Sequence, residues 1–307
     1  MKWDVEEYSS LCLLCFLRCQ CKLVFIAPQH LLNDEIYKLI PEEQALAEAE
    51  ELKEKIDDWL TEYEYVLEDE DHTYITSHLH NNQDPFGYFY LLYKIHKLPS
   101  LENVELCPTR PVSSSCGSID HPLGAWVNKE LQPVAQAQPS FIKNSEALLK
   151  AIREVLCTPN SFIFSADATG MYTNIHTDVG LDIIPQYLRD HAAEYEYNAE
   201  ALIAALEIVF RHNLFRFGDA YAKQKSGTAM GKRPAPPWAT LFFAIHEDNF
   251  VPQFSEYLLF YKRYLDDIIG IWLAHPDPAT NLAKWNEFKS TVGNFHGLEW
   301  TFTPLAR

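Results

Sequence analysis

Three acidic residues in two places carry the chemistry this sequence could do. Asp167 ends a short apolar run, Phe162-Ile163-Phe164, and far along the chain the pair Asp266-Asp267 sits between two more apolar runs, Leu258 to Tyr264 and Ile268 to Trp272. Carboxylates held at neighbouring strand ends can bind two hard divalent cations about 3.5 to 4 Å apart, one lowering the pKa of an attacking hydroxyl and the other stabilising the leaving oxygen. That is equipment for phosphoryl or nucleotidyl transfer. Three carboxylates in close approach repel one another, so their convergence predicts Mg²⁺, with Mn²⁺ as a substitute. An Asp-Asp pair in a hairpin tip is by itself more often a turn than a metal site. A metal site therefore requires Asp167 and the pair to share one sheet.

The elements that would position them can be read from period and punctuation. Leu46, Ala49, Leu52, Ile56, Trp59 and Tyr63 step by three and four, the stripe of an amphipathic helix with acids on its other face. Phe86 to Ile95 is dense enough for a strand pair or a buried edge, and the piece around Arg110-Pro111-Val112 is strand-like. Helices are expected at 123–131, at 146–156 after an Asn144 or Ser145 cap, at 177–190, at 199–211, at 237–250 and at 278–292. Phe162 to Asp167 reads as a buried strand, 215–221 as a hairpin turning through Gly218-Asp219, 258–264 and 268–272 as a hairpin with the acids at its tip, and 298–302 as a last strand. The sum is an α+β plan with an antiparallel sheet and helices on one face.

At this point a resemblance can be stated. Tyr264-Leu265-Asp266-Asp267 between two apolar strands resembles the Tyr-x-Asp-Asp motif of reverse transcriptases. Phe164-Ser165-Ala166-Asp167 followed by Met171-Tyr172-Thr173-Asn174-Ile175 resembles the preceding palm motif. Tyr93-Lys94-Ile95-His96-Lys97, Arg110-Pro111-Val112-Ser113-Ser114 and Gly227-Thr228-Ala229-Met230-Gly231 with Ala235-Pro236-Pro237 fall in matching order. Together they resemble the polymerases of Penelope-like retroelements, relatives of telomerase, over about Phe86 to Phe302.

The resemblance implies a right-hand polymerase with fingers over 72–160 and palm over 161–307, after an N-terminal extension, 1–71, that holds the acidic helix. It implies an RNA-directed DNA polymerase adding dNTPs to the 3′-hydroxyl of a DNA primer on an RNA template. Asp167, Asp266 and Asp267 would be catalytic and would hold two Mg²⁺, with the Ala168 carbonyl assisting. Tyr172 would lie under the incoming sugar and exclude a 2′-hydroxyl, Lys97 and Arg110 would hold the triphosphate, and Met230-Gly231 would lie against the templating base and the nucleotide. The action it implies is intracellular and nuclear, without a membrane.

Departures from the family frame a second reading. Lys232-Arg233 stand where family members usually have Thr and Pro, and two cations there could contact phosphates or disturb the pocket. The chain ends soon after the strand at 298–302, so a thumb and primer grip are expected to be missing, and no Gly-Ile-Tyr and Tyr-Ile-Gly endonuclease pair is present. The alternative is thus a catalytically inactive, truncated remnant that at most binds nucleic acid. A metal-dependent phosphohydrolase is a third class, disfavoured because no His or Glu is placed as a water-activating base.

Composition bounds these readings. In 307 residues, 47% hydrophobic, there is enough apolar material for a real core, which excludes wholesale disorder. The net charge of −18 argues against a simple basic wrapper of nucleic acid. Most of it sits in 34–71, where 16 acids face 3 lysines. The cations Lys94, Lys97, Arg110, Lys223, Lys225, Lys232, Arg233, Lys262 and Arg263, all in or beside the motifs, are expected to supply a salt-sensitive nucleic-acid surface. The crowded Cys12, Cys15, Cys19 and Cys21 are spaced irregularly among leucines and read as buried thiols of an apolar helix before they read as a metal site.

Overall fold

The computed structural model of the chain describes residues 30–94 and 107–306. The cysteine cluster of residues 12–21 and the cation Lys97 lie outside the described residues. In chain order the elements are β1 (Tyr37–Ile40), α1 (Glu42–Tyr63), α2 (Asp69–Asn81), β2 (Gly87–Tyr93), β3 (Thr109–Ser114), α3 (His121–Gln136), α4 (Ser145–Arg153), β4 (Ser161–Ala168) and the single turn α5 (Met171–Asn174). They continue with α6 (Thr177–Tyr195), α7 (Ala199–Arg211), β5 (Leu214–Phe217), β6 (Ala220–Gln224), α8 (Ala235–Phe250), β7 (Leu258–Tyr264), β8 (Asp267–Leu273), α9 (Pro278–Gly293) and β9 (Trp300–Phe302).

Three helices start on a side-chain cap, among them the one expected at Asn144. The side chains of Asn144, Asn198 and Asp277 accept from the backbone N–H three residues on, which satisfies one of the orphan donors of α4, α7 and α9. The helix read from the stripe at 46–63 is α1, buried through Ala45, Ala49, Leu52, Ile56, Trp59 and Leu60; of the expected stripe, Leu46 is exposed instead, its place on the buried face taken by Ala45, and Tyr63 is half-buried. It is docked on the body rather than held away from it: the Trp59 indole N–H donates to the Ala201 carbonyl on α7 at 2.9 Å, and Lys223 on β6 pairs with Glu48 at 2.8 Å.

Two sheets organise the molecule. The first is fully antiparallel, in the order β7-β8-β4-β9, and alternation along β4 sends Phe164, Ala166 and Ala168 into the core while Ile163, Ser165 and Asp167 face out. Its inner face packs on α8 and α9, where Trp238, Phe242, Phe243, Phe250 and Phe288 are fully buried. Each such side chain contributes about 1.5–3 kcal/mol by leaving water. This is the α+β plan expected, with helices on one face of an antiparallel sheet.

The second sheet has five strands in the order β1-β6-β5-β2-β3, and its β2-β5 pair is parallel. Within the run that starts at Phe86, Gly87–Tyr93 is therefore a single interior strand of a larger sheet, neither a strand pair nor an edge. That sheet also crosses the linear divisions at 71 and 160, because β1 comes from before the first and β5 and β6 from after the second. Three further elements, β1, α2 and the single turn α5, were not expected from the pattern. Among the described residues no helix is long and apolar enough to cross a membrane.

Candidate active site

The register of the antiparallel sheet brings the acids together. Asp167 on β4 is directly opposite Asp267 on β8, and the Ala168 N–H donates to the Asp266 carbonyl at 2.9 Å, tying the hairpin tip to the end of β4. Asp266 is half-buried, whereas Asp167 and Asp267 face out. Like charges opposite one another on one sheet face are destabilising. The effect shows at Asp267, whose carboxyl is raised above the usual carboxylate range by partial desolvation first and then by the Asp266 and Asp167 charges. Among the described residues none of the three carboxylates has an ion-pair or side-chain hydrogen-bond partner, and no group of three His, Cys, Asp or Glu side chains is already drawn in around an ion position. A hard, all-oxygen donor set with uncompensated charge is of the kind that suits a divalent cation.

The hairpin tip is a two-residue loop, since Tyr264 pairs with Asp267 across it. Leu265 takes a left-handed φ of 52°, which is unusual for a side chain of its size. Its conformation is held from below. Arg263 Nη1 donates to the Leu265 carbonyl at 3.0 Å, Nε and Nη2 form a bidentate pair with Glu247 on α8 at 2.7 and 2.8 Å, and Nη2 also reaches the Thr240 carbonyl. Glu247 accepts as well from the Tyr261 and Ser140 hydroxyls, and the guanidinium lies over the Phe243 ring. Arg263 is 2% exposed. It is the foundation of the hairpin, so the expectation that it joins a nucleic-acid surface is corrected.

Tyr172 lies within electrostatic reach of the acids. Burial pushes its hydroxyl up to about 12, the Asp266 and Tyr264 charges push the same way, and Arg110 opposes them. Tyr172, Asp266 and Arg110 thus share one neighbourhood, with Arg110 exposed on β3. The segment 226–232 is stitched around them. The Thr228 N–H donates to the Tyr172 carbonyl at 2.6 Å, and the Gly231 carbonyl accepts from the Ser115 N–H and hydroxyl at 3.4 and 3.3 Å. Gly231 has a φ of 115°, and a Cβ there would lie 2.8 Å from Ser114 Cα, so only glycine allows this approach to β3. Met230 is half-buried beside it. Two clefts flank Tyr264: one of about 500 Å³ lined by Lys143, Asn144, Ser165 and Asp267, the other of about 210 Å³ lined by Lys143, Phe141, Pro237 and Leu265.

The expected basic surface shrinks in the structure. Lys232 is buried and bonds to Asp120, so it does not face phosphates, Lys223 is paired with Glu48, and Lys262 donates to the Pro139 carbonyl. Arg110, Lys225 and Arg233 stay exposed and Lys94 half-buried. Glu247 and Asp120 are the residues that sequence reading missed. Glu247 had a signal: it stands between Phe243 and Phe250 on the buried side of an otherwise apolar helix, where a carboxylate needs a partner.

No protein-family model matches the chain, and no curated protein matches its sequence. Solved structures do match. A chain from a structure of an RNA-dependent RNA polymerase with vp4 and double-stranded RNA superposes with a TM-score of 0.53 at 12% identity, over 83% of this chain and 25% of its own. An RNA polymerase complex solved in situ with the segmented genome inside a double-stranded RNA virus gives 0.50 at 12% identity, over 86% and 25%. Apo telomerase from Candida tropicalis gives 0.50 at 11% identity, over 73% and 44%. The fold is therefore polymerase-like, with a fingers and palm plan common to viral RNA polymerases and telomerase. The chain spans between 25% and 44% of the length of these three structures.

Proposed function

We propose that this chain is the fingers and palm of a template-directed nucleic-acid polymerase, and specifically of an RNA-directed DNA polymerase of the Penelope-like retroelement type. The observation that carries the reading is the pairing of Asp167 with Asp267 at the end of one antiparallel sheet, beside Tyr172 and Arg110. The polymerase-like fold supports it, and the double-stranded RNA named with one of the similar structures supports a nucleic-acid partner; an RNA template and a DNA primer are the partners that the retroelement reading itself requires.

In this reading Asp167, Asp266 and Asp267, with the Ala168 carbonyl, hold two Mg²⁺ ions. When bound, the ions lower the pKa of the primer 3′-hydroxyl and neutralise charge on the leaving group. The 3′-oxygen loses its proton and bonds to the α-phosphorus of a dNTP, the α–β phosphoanhydride bond breaks, and pyrophosphate leaves. Arg110 and Lys97 hold the triphosphate, one as a bidentate fork and one as a point charge. Tyr172, held by Thr228 against the segment that ends in Met230-Gly231, presents its ring to the sugar and selects against a 2′-hydroxyl. The place of action that accompanies this reading is the nucleus.

The test is primer extension on an RNA template with Mg²⁺ or Mn²⁺, comparing dNTPs with NTPs and the parent with Asp266→Ala. Extension with dNTPs that vanishes in the variant is expected. NTP incorporation at equal efficiency would favour an RNA polymerase, and no extension by the folded parent would sink the enzyme reading in favour of an inactive relative that binds nucleic acid.

A further inference from the structure

Lys232 is a cation in a place where charge is costly. Its side chain is 4% exposed and that of Asp120 is 5% exposed, and the two form an ion pair. Its ammonium has three protons and three partners: the Asp120 carboxylate, the Val209 carbonyl and the His212 carbonyl at 2.9 Å. Asp120 stands at the start of α3, where its other carboxylate oxygen accepts from the Ser118 hydroxyl at 2.6 Å. Val209 lies in the last turn of α7 and His212 just beyond it, where carbonyls lack helical partners and the macrodipole favours a cation. One side chain thus joins the start of one helix to the end of another.

What it fixes between them is the loop. Gly231, next in chain, is pressed on β3 through the Ser115 hydrogen bonds, and Thr228, four residues before Lys232, is bonded to the Tyr172 carbonyl. The segment therefore touches three bodies: the Tyr172 turn, the strand that carries Arg110, and the α3-α7 pair. Of these contacts only the last is ionic and fully buried. Burying an ammonium and a carboxylate is weak evidence for stability, because the desolvation penalty offsets the attraction, but such a pair fixes a position well.

We infer that Lys232 is a positioning residue: by clamping 226–232 to the α3-α7 pair, it sets how Arg110 and Tyr172 face one another across the nucleotide. This rests on the assignment of those two residues and of Met230-Gly231 to nucleotide contact. Lys232 itself does not reach the nucleotide, since all of its donors are spent on protein acceptors.

The test separates positioning from stability. Lys232→Met leaves the buried Asp120 without its cation, held only by the Ser118 hydroxyl, and lowers thermal stability. The double variant K232M/D120L replaces the pair with apolar side chains and regains most of it. In both variants the KM for dNTP in primer extension is expected to rise on the order of ten- to a hundredfold, the cost of misplaced substrate-binding groups. The kcat at saturating dNTP is expected to stay within about twofold of the parent, because the carboxylates are untouched. Amide hydrogen exchange should quicken in 226–233 and in 109–116 of the double variant. A double variant with parental stability, parental KM and parental exchange in those two segments would overturn the inference. If the parent itself extends no primer, the polymerase reading has failed, and exchange in the two segments still decides whether Lys232 clamps them.

Discussion

Glu247 is the residue whose removal should hurt the fold most in proportion to its size. In Glu247→Leu the Arg263 guanidinium, with a side chain only 1% exposed, keeps its charge and loses its carboxylate, and the Tyr261 and Ser140 hydroxyls lose their acceptor. Breaking a buried pair by deleting one partner costs about 3–5 kcal/mol. At about 2–4 °C of melting temperature per kcal/mol for a chain of this size class, the midpoint should fall by roughly 6–20 °C. Thermal and urea unfolding followed by circular dichroism would measure it. Arg263→Met in the same chain removes the stranded charge, so E247L/R263M should recover most of the loss. Turnover should stay low even then, because the Leu265 carbonyl no longer has its donor and the left-handed tip between Tyr264 and Asp266 is unsupported. A single variant within about 1 kcal/mol of the parent would refute the claim that this pair is the hairpin's foundation.

The metal-free carboxylates should behave as a strained set: Asp267→Asn is expected to stabilise the protein without divalent ions by about 0.2–1 kcal/mol, through lost repulsion, while abolishing extension. Mg²⁺ or Mn²⁺ should raise the parent's melting temperature in a concentration-dependent way and leave Asp167→Asn nearly unmoved, as differential scanning fluorimetry would show. Gly231→Ala would drive a methyl into the Ser114 backbone and strain a left-handed φ, with a loss of about 1–3 kcal/mol in urea unfolding. Burial lowers the pKa of His30, His121, His212 and His246, so these side chains stay uncharged in the fold while the unfolded chain takes up protons below about pH 6.5. That stability is complete above this value and is lost as pH falls through the folded-state values, so the urea midpoint should drop between about pH 7.5 and pH 5.5 and drop less in His246→Phe.

Much of the site was legible because its signals are local. Phe162 to Asp167 alternates only at its end, yet three apolar residues followed by Ser, Ala and Asp suffice to mark a strand with an acid at its tip, and the Tyr264-to-Asp267 hairpin is announced by its two flanking runs. What stayed hidden is what only a partner reveals. Lys232 and Arg263 look like surface cations in the chain and become buried ones because Asp120, Glu247 and helix-end carbonyls, all distant in sequence, converge on them. β1 was invisible because its four residues bury only the first and last, a pattern with neither period. α2 begins at the end of the acidic stretch, where charge reads as loop until Lys129 answers Glu68 and Asp71 across to α3.

The crossing of the second sheet over the linear divisions has a consequence for how the chain is made and cut. Among the described residues Tyr37 has no strand partner until Gln224 has been synthesised, and β2 pairs with β5 only after β3, β4 and five intervening helices are complete. Contacts so distant in sequence are slow to form, because loop closure must precede the gain from pairing. Until then the exposed edges of β1 and β2 are open to other chains. A fragment ending near residue 160 would hold β2 and β3 without the strands that complete their sheet, so truncation there should give aggregation, and the five-strand sheet exists only as part of the whole.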